Sequence, residues 1–177
     1  MTTDPSMAQP PSKEERFVLA IIARCQQDTG LAARLRRADN PATEYQSWEF
    51  MAQYGVDLER DHERLRCALV AASIAKTKPV ANGTMPLGRA IAACYADQSS
   101  DDQATARLRR LLACADLPEL CLILRSILTL IASRVTAPLD YVRLLEQLRR
   151  FDHGTDRVKA QWAQEFFRSK TEVGEPS

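Results

Sequence analysis

The sequence predicts an all-α fold, organised as two small helical bundles in tandem with about eight or nine helices. From residue 104 to residue 168, leucines recur three and four positions apart, which places them on one face of successive amphipathic helices. No glycine occurs between Gly88 and Gly154, so this span is expected to consist of helices joined by tight caps. The alternating pattern of a β-strand is nearly absent. With 177 residues and 45% hydrophobic content, the chain can bury a core of this kind.

The predicted N-terminal lobe occupies residues 12–88 and follows a disordered lead at residues 1–11, which contains three prolines. Ser12 and Glu15 have the spacing of a capping box, which predicts the start of a first helix. Gly30 is expected to end that helix.

Two short helices are expected next, and then a long helix from about residue 57 to residue 76. The lobe ends in a loop at residues 76–88 that holds two prolines and two glycines. This composition fits either a boundary between two lobes or a mobile binding loop, and the sequence leaves both interpretations open.

The predicted C-terminal lobe occupies residues 89–170. Two further capping boxes mark helix starts within it, one formed by Ser100 with Gln103 and the other by Asp116 with Glu119.

The segment from Leu117 to Arg134 is apolar on most sides and should form the central helix of this lobe. Pro138 suits the first turn of another helix, and the last helix is expected to start at Gly154. Residues 171–177 should form a disordered tail.

The net charge of the chain is only +1, but positive charge is concentrated in the C-terminal half. Between residues 103 and 170, twelve Lys and Arg stand against seven Asp and Glu, whereas both flanking parts are net negative. Such a local excess favours an anionic partner, for example nucleic acid. An ordinary solvated helix face has a similar composition, so charge alone does not choose between the two.

The composition also argues against metal, redox and membrane functions. The five cysteines are odd in number and lack Cys-x-x-Cys spacing, so we expect reduced core cysteines in a cytoplasmic protein. His62 and His153 have no further ligand at metal-site spacing, and we predict neither a metal nor a cofactor. Apolar stretches are interrupted before about 18 residues, and the N-terminus lacks the apolar run of a signal peptide.

No set of residues has the spacing of a catalytic site. The charged run at residues 59–64 places carboxylates beside His62, but it fits i,i+4 ion pairs on an exposed helix face. His62 and Cys67 are five positions apart, and therefore do not stack on one helix face as a nucleophile and its base would. The sequence contains no P-loop and no dinucleotide-binding fingerprint. We therefore expect no enzyme activity.

Arginines gather in short groups on the polar flanks of the leucine-striped helices. Arg107 and Arg110 are three positions apart and so lie side by side on one helix, while Arg143 and Arg150 lie two turns apart on another. Guanidinium groups suit fork-shaped contacts to phosphate oxygens, which makes these helices candidates for binding a nucleic-acid backbone. The same arginines are also explained as ordinary surface cations. Aromatic residues are few, at 6%, so tracking of the backbone is favoured over base stacking.

Five segments carry a resemblance to a known family. They are L-G-R-A-I-A at 87–92, R-L-R-R-L-L-A-C at 107–114, L-R-S-I-L at 124–128, L-D-Y-V-R-L-L at 139–145 and W-A-Q-E-F-F at 162–167. In order and spacing they resemble the small subunit of the type I-E CRISPR surveillance complex, Cascade.

The resemblance implies an all-helical, non-catalytic protein that occurs as two copies in a prokaryotic, cytoplasmic complex. Its implied partners are the backbones of crRNA and target DNA, the backbone and large subunits of Cascade, and a second copy of itself. The implied role is to stabilise the R-loop in which guide RNA pairs with target DNA. A helical protein–protein adaptor without nucleic-acid contact remains the alternative.

The candidate nucleic-acid-binding residues are predicted from the spacing of the arginines together with the resemblance. They are Arg37, Arg89, Arg107, Arg110, Arg125, Arg143, Arg150 and Lys159. Ser126 departs from the family pattern, because some relatives carry a second arginine there. We expect Arg107 and Arg110 to form a connected basic surface with Arg37, Arg89 and Arg125, rather than scattered ion pairs.

Overall fold

The computed structural model describes residues 9–95 and 101–174 of the chain. These residues form eight α-helices, one short 3₁₀-helix and a single β-bridge, which confirms the predicted all-α fold. The helices are α1 (Lys13–Gln27), α2 (Thr29–Leu35), α3 (Trp48–Gln53), α4 (Asp61–Thr77), α5 (Leu87–Ala93), α6 (Asp101–Leu112), α7 (Leu117–Arg134) and α8 (Tyr141–Gly174), with the 3₁₀-helix (Glu44–Ser47) between α2 and α3.

Two of the predicted helix caps are confirmed. The Ser12 hydroxyl accepts a hydrogen bond from the Glu15 amide at 3.0 Å, where α1 begins. The Asp116 carboxylate accepts from the Glu119 amide at 2.9 Å, where α7 begins. These side chains satisfy backbone donors that have no partner within the helix. The third predicted cap, Ser100, lies outside the described residues.

Two predicted boundaries are wrong, and in each case an aspartate caps the helix instead. Gly30 does not end α1, because the Asp28 carboxylate already caps α2 by accepting from the Leu31 amide at 2.8 Å. Pro138 precedes α8 rather than starting it, because Asp140 accepts from the Arg143 amide at 3.0 Å.

The helix start predicted at Gly154 appears as a kink within α8. The backbone of Gly154 leaves helical geometry there, with φ −156° and ψ 46°. Helical structure continues on both sides of it, and α8 extends to Gly174, into the predicted tail. The kink therefore divides α8 into two helical arms.

The second half of helix α4 lies in the interior of the described chain. Every residue from Cys67 to Ala75 is buried, and α4 packs against α1, α2, α7 and α8. One hydrophobic cluster contains side chains from both sides of residue 88. The predicted division into two lobes at that position stays a prediction.

The loop between α4 and α5 is bonded to the segment that leads into α8. The Gly83 amide donates to the Leu139 carbonyl at 2.9 Å, and the Asp140 amide donates to the Met85 carbonyl at 2.9 Å. Between these two bonds, the Asn82 side chain donates to the Asp140 carboxylate at 2.9 Å. The loop therefore joins parts of the chain that lie far apart in sequence.

Replacing Asn82 with alanine is expected to lower the free energy of unfolding by about 1–3 kcal/mol, because partly buried polar groups lose their partners. The Asn82 carbonyl oxygen also accepts from the Tyr141 amide at 2.8 Å, and this amide would lose a partner too. Urea denaturation followed by circular dichroism measures the change. Thr84→Ala, an exposed position in the same loop, is the control and should stay within about 0.5 kcal/mol of wild type. Equal urea midpoints for Asn82→Ala and wild type would contradict the role assigned to Asn82.

Candidate nucleic-acid interface

Arg107 and Arg110, the α6 pair, lie on the exposed face of α6. The adjoining face buries Leu108 and Leu111, so the helix is fixed to the core while both arginines remain at the surface. The Nε group of Arg107 donates to the Tyr95 hydroxyl, which orients its guanidinium group. The α6 pair therefore presents two cations from one rigid helix.

A groove of about 310 Å³ runs between the α6 pair and helix α7. Ser126 lies on its α7 side, together with the apolar residues Ile123 and Ile127. Ser126 thus faces the α6 pair across this groove. A hydroxyl group there can donate a hydrogen bond to a phosphate, but it adds no charge.

Arg125 meets the turn that carries Arg37. The Nε group of Arg125 lies 3.2 Å from a carboxylate oxygen of Asp39, and Lys76 Nζ lies 2.6 Å from the same oxygen. We call Asp39, Lys76 and Arg125 the Asp39 cluster. Arg37 is exposed two residues before Asp39. Folding therefore brings Arg125 to the turn that carries Arg37, 88 positions away in sequence.

Arg89 and Arg143 border a second, smaller groove of about 230 Å³ between α5 and α8. Arg143 is bonded to Glu165 at 2.6 Å, and Arg89 lies 3.7 Å from Glu172. Glu165 also accepts from the Gly88 amide at 3.1 Å, so it ties the start of α5 to α8. Two carboxylates offset much of the positive charge in this groove.

The expectation of a connected basic surface rather than scattered ion pairs is therefore wrong for Arg89 and Arg125, because each has a carboxylate partner brought in by a distant helix or turn. Both side chains nevertheless stay about half exposed, and part of each guanidinium group can still reach a ligand. The role of the candidate residues in binding nucleic acid stays a prediction.

The remaining two candidates are placed differently. Arg150 lies 3.6 Å from Glu146 on the same helix and is exposed. Lys159 is half-buried, and its ammonium group donates to the Cys114 carbonyl at 2.7 Å. This bond holds α8 against the segment that follows α6, so Lys159 has a structural partner in the folded chain.

The largest cleft, of about 890 Å³, brings the candidate Arg150 together with basic residues that were not candidates. It lies between α1, α4 and α8, and its basic lining is Lys13, Arg60, His62, Arg66, Arg149, Arg150, His153 and Arg157. Glu14, Glu63 and Asp152 are more buried than most of these cations and are paired with some of them. The cations come from three helices, so spacing along the sequence does not reveal them.

The interface contains no activated nucleophile among the described cysteines. All five cysteine thiols are buried and free of disulfides. Burial raises the pKa of both Cys67 and Cys121 to about 12, which keeps these thiols protonated. His62 is bonded to Asp152 at 2.9 Å rather than to a cysteine.

Residues 9–95 and 101–174 contain no group of three or more His, Cys, Asp or Glu side chains that could hold a metal ion. In the same part of the chain, no helix is both long and apolar enough to cross a membrane.

Comparison with known proteins identifies the family. A family model for the CRISPR-associated protein Cse2 matches residues 31–167. The structure of CasB from M. ruber is 28% identical, with a TM-score of 0.73 over 92% of this chain and 97% of that chain. A CRISPR-associated protein of the Cse2 family from Thermus thermophilus is 27% identical, with a TM-score of 0.66 over 87% of this chain and 97% of that chain.

A chain from a CRISPR RNA-guided surveillance complex has the same fold, with a TM-score of 0.70 and 21% identity over 91% of this chain and 94% of that chain. No curated protein sequence matches the chain. The Cse2 model covers well over half of the chain, and the matched span contains the α6 pair and Arg125. The protein belongs to the CRISPR-associated Cse2 family.

Proposed function

We propose that this protein is a non-catalytic subunit of a CRISPR RNA-guided surveillance complex and that it holds nucleic acid by its backbone. In this role it stabilises the R-loop, in which guide RNA pairs with one DNA strand and displaces the other. Membership of the Cse2 family supports the proposal, as does the fold shared with a chain of such a complex. The observation that carries it is the α6 pair, two exposed arginines on a helix fixed to the core.

The energetics of an R-loop make modest contacts of this kind sufficient. The RNA–DNA heteroduplex is about as stable as the DNA duplex that it replaces, so the exchange is nearly balanced. A few charge-assisted hydrogen bonds to phosphates can then shift the equilibrium. Phosphate contacts carry no base information, and the stabilisation would be the same for every guide and target.

The charge distribution fits a subunit that acts within an assembly. A net charge of +1 gives the isolated chain little long-range attraction for bulk nucleic acid. Local basic features, namely the α6 pair, the Asp39 cluster and the largest cleft, supply the contacts once other subunits bring the strand close. We propose crRNA, target DNA, the other Cascade subunits and a second copy of this chain as partners, in the prokaryotic cytoplasm.

The alternative is a helical adaptor that contacts only proteins. One observation favours it: Leu122 on α7 and Tyr45 in the 3₁₀-helix are 71% and 60% exposed. Large apolar side chains at the surface suit a protein interface. An adaptor would use these residues, and its arginines would serve as surface cations.

Purification of the tagged chain from its native host tests membership of the complex. If the proposal is correct, several other proteins and an RNA of one short, defined length will be recovered with it. Recovery of protein partners without RNA would support the adaptor. Digestion of DNA by the purified complex, abolished by changing a residue of this chain and not by changing other subunits, would contradict the non-catalytic role.

A further inference from the structure

The carboxylate of Asp39 is the least exposed acid in the ion pairs of the candidate interface. Its side chain is 6% exposed, and one of its oxygens contacts both Lys76 and Arg125. Burying a carboxylate is unfavourable unless cations or hydrogen bonds compensate it. Two cations from α4 and α7 provide that compensation, and in turn the carboxylate fixes where they lie.

The geometry limits the distance between the two cations. Lys76 Nζ lies 2.6 Å and Arg125 Nε lies 3.2 Å from the same oxygen, so the two nitrogens are separated by no more than the total of these distances, 5.8 Å. Both side chains remain accessible, with 35% and 42% of their surface exposed. Two cations this close can contact one phosphate group together.

The Asp39 cluster also retains donors and charge for a ligand. The contact between Arg125 and Asp39 is made by Nε, and the terminal Nη groups of Arg125 add further donors for a ligand. One carboxylate between two cations leaves a net charge of +1. The ion pairs also hold two long, flexible side chains in place, which lowers the entropy lost when a ligand binds.

We propose that Lys76 and Arg125 form a two-cation site for one phosphate of a nucleic-acid strand, and that Asp39 positions them. Lys76 thereby joins the interface as a contact residue, and Asp39 is a positioning residue. The inference rests on the proposed function. Arg125 is adjacent in sequence to Ser126, which lines the groove beside the α6 pair, so the same strand can reach both sites across α7.

The first test replaces the two cations singly and together. Lys76→Gln and Arg125→Gln are assembled into the complete complex, and binding of labelled target DNA is measured between about 50 and 200 mM salt. Each single variant should weaken binding roughly threefold to tenfold and lower the log–log salt slope by about 0.7–0.9, the effect of one lost phosphate contact. The double variant should lose less than the product of the two single effects, because both residues contact one phosphate.

The second test separates positioning from net charge. Asp39→Asn adds one positive charge to the protein, and long-range attraction alone would tighten binding. A positioning role for Asp39 predicts the opposite result, a roughly threefold loss of target affinity with a lower log–log salt slope. Asp39→Glu should recover the affinity. Glu59→Gln, at an exposed residue, makes the same change in net charge and should not weaken binding. Thermal unfolding checks that Asp39→Asn is folded. If it is not, the comparison of the single and double variants of Lys76 and Arg125 tests the two-cation site.

Failure of this inference can be told apart from failure of the proposed function. If removing the α6 pair weakens target binding but Lys76→Gln binds as wild type does, the two-cation site is wrong and the proposed function stands. If the effects of Lys76→Gln and Arg125→Gln on target affinity simply multiply in the double variant, the two residues do not share one phosphate, and the two-cation site is again wrong. If target binding is the same with and without this chain in the complex, the proposed function fails and the inference fails with it.

Discussion

Gly88→Ala is expected to lower the free energy of unfolding by about 3 kcal/mol, at the upper end of what overpacking costs. A Cβ atom at this position would lie 2.2 Å from the Trp162 carbonyl oxygen and 2.7 Å from Glu165 Cβ. The obstruction is mainly the backbone of α8, which cannot rotate away as a flexible side chain can. Helices α5 and α8, which pack closely against each other, would have to separate.

Urea denaturation of matched glycine variants measures this effect. Gly154→Ala is the control, because no atom lies within 4 Å of the position its Cβ would take. Its φ of −156° lies outside the left-handed region that favours glycine, so the free energy of unfolding should change by less than about 1 kcal/mol. Equal stability of Gly88→Ala and Gly154→Ala would show that α5 and α8 do not pack as closely as described.

Reversing the charge of the α6 pair, with Arg107→Glu and Arg110→Glu together, should weaken target binding by the assembled complex about a hundredfold. Each charge-assisted hydrogen bond to a phosphate is worth about 1.5–3 kcal/mol, or roughly tenfold or more in affinity. The log–log salt slope should fall by roughly 1.4–1.8, which corresponds to two lost phosphate contacts. The loss should be nearly equal for all target sequences.

A double variant on α1 is the matched control. Arg16 and Arg24 are both exposed, and changing both to glutamate alters the net charge by the same amount. This control should bind target far more tightly than the α6 variant, and both should unfold within about 1 kcal/mol of wild type. Normal assembly and wild-type target binding by the α6 variant would show that the proposed contacts are wrong. An equal loss of target binding in the α1 control would show that net charge alone causes the effect.

Local chemistry made much of the fold predictable. Caps at Ser12 and Asp116 act within three residues of the helix that they start, so the sequence contains the whole interaction. The predicted helix from Leu117 to Arg134 has the same bounds as α7, because its apolar run begins at a cap and ends where the backbone becomes extended.

Competing caps and tertiary contacts explain the boundaries that could not be predicted. At Gly30, the nearby Asp28 cap starts α2 before the glycine can act as a helix end. Before α8, Leu139 pairs with Met85 in a parallel β-bridge, which holds the chain extended past Pro138. A bridge between residues 54 positions apart leaves no local pattern.

The candidate site was only partly predictable for the same reason. Side-by-side arginines on one helix, such as Arg107 and Arg110, follow from helix periodicity alone. Ion pairs such as Arg125 with Asp39 join helices and turns that are distant in sequence, and only the folded chain reveals them. Lys76 could not have been selected from its sequence context, since its importance depends on the carboxylate that it shares with Arg125.

The salt dependence of target binding by complexes with and without this chain tests the central claim most directly. Binding constants for labelled target DNA would be measured from about 50 to 200 mM salt, with the same guide RNA and the same other subunits. If the chain contacts nucleic-acid backbone, the complex that contains it will bind more tightly and have a log–log slope steeper by about 0.7–0.9 for each contacted phosphate. A tighter complex with an unchanged slope would mean that the chain acts only through other proteins, which would contradict the account.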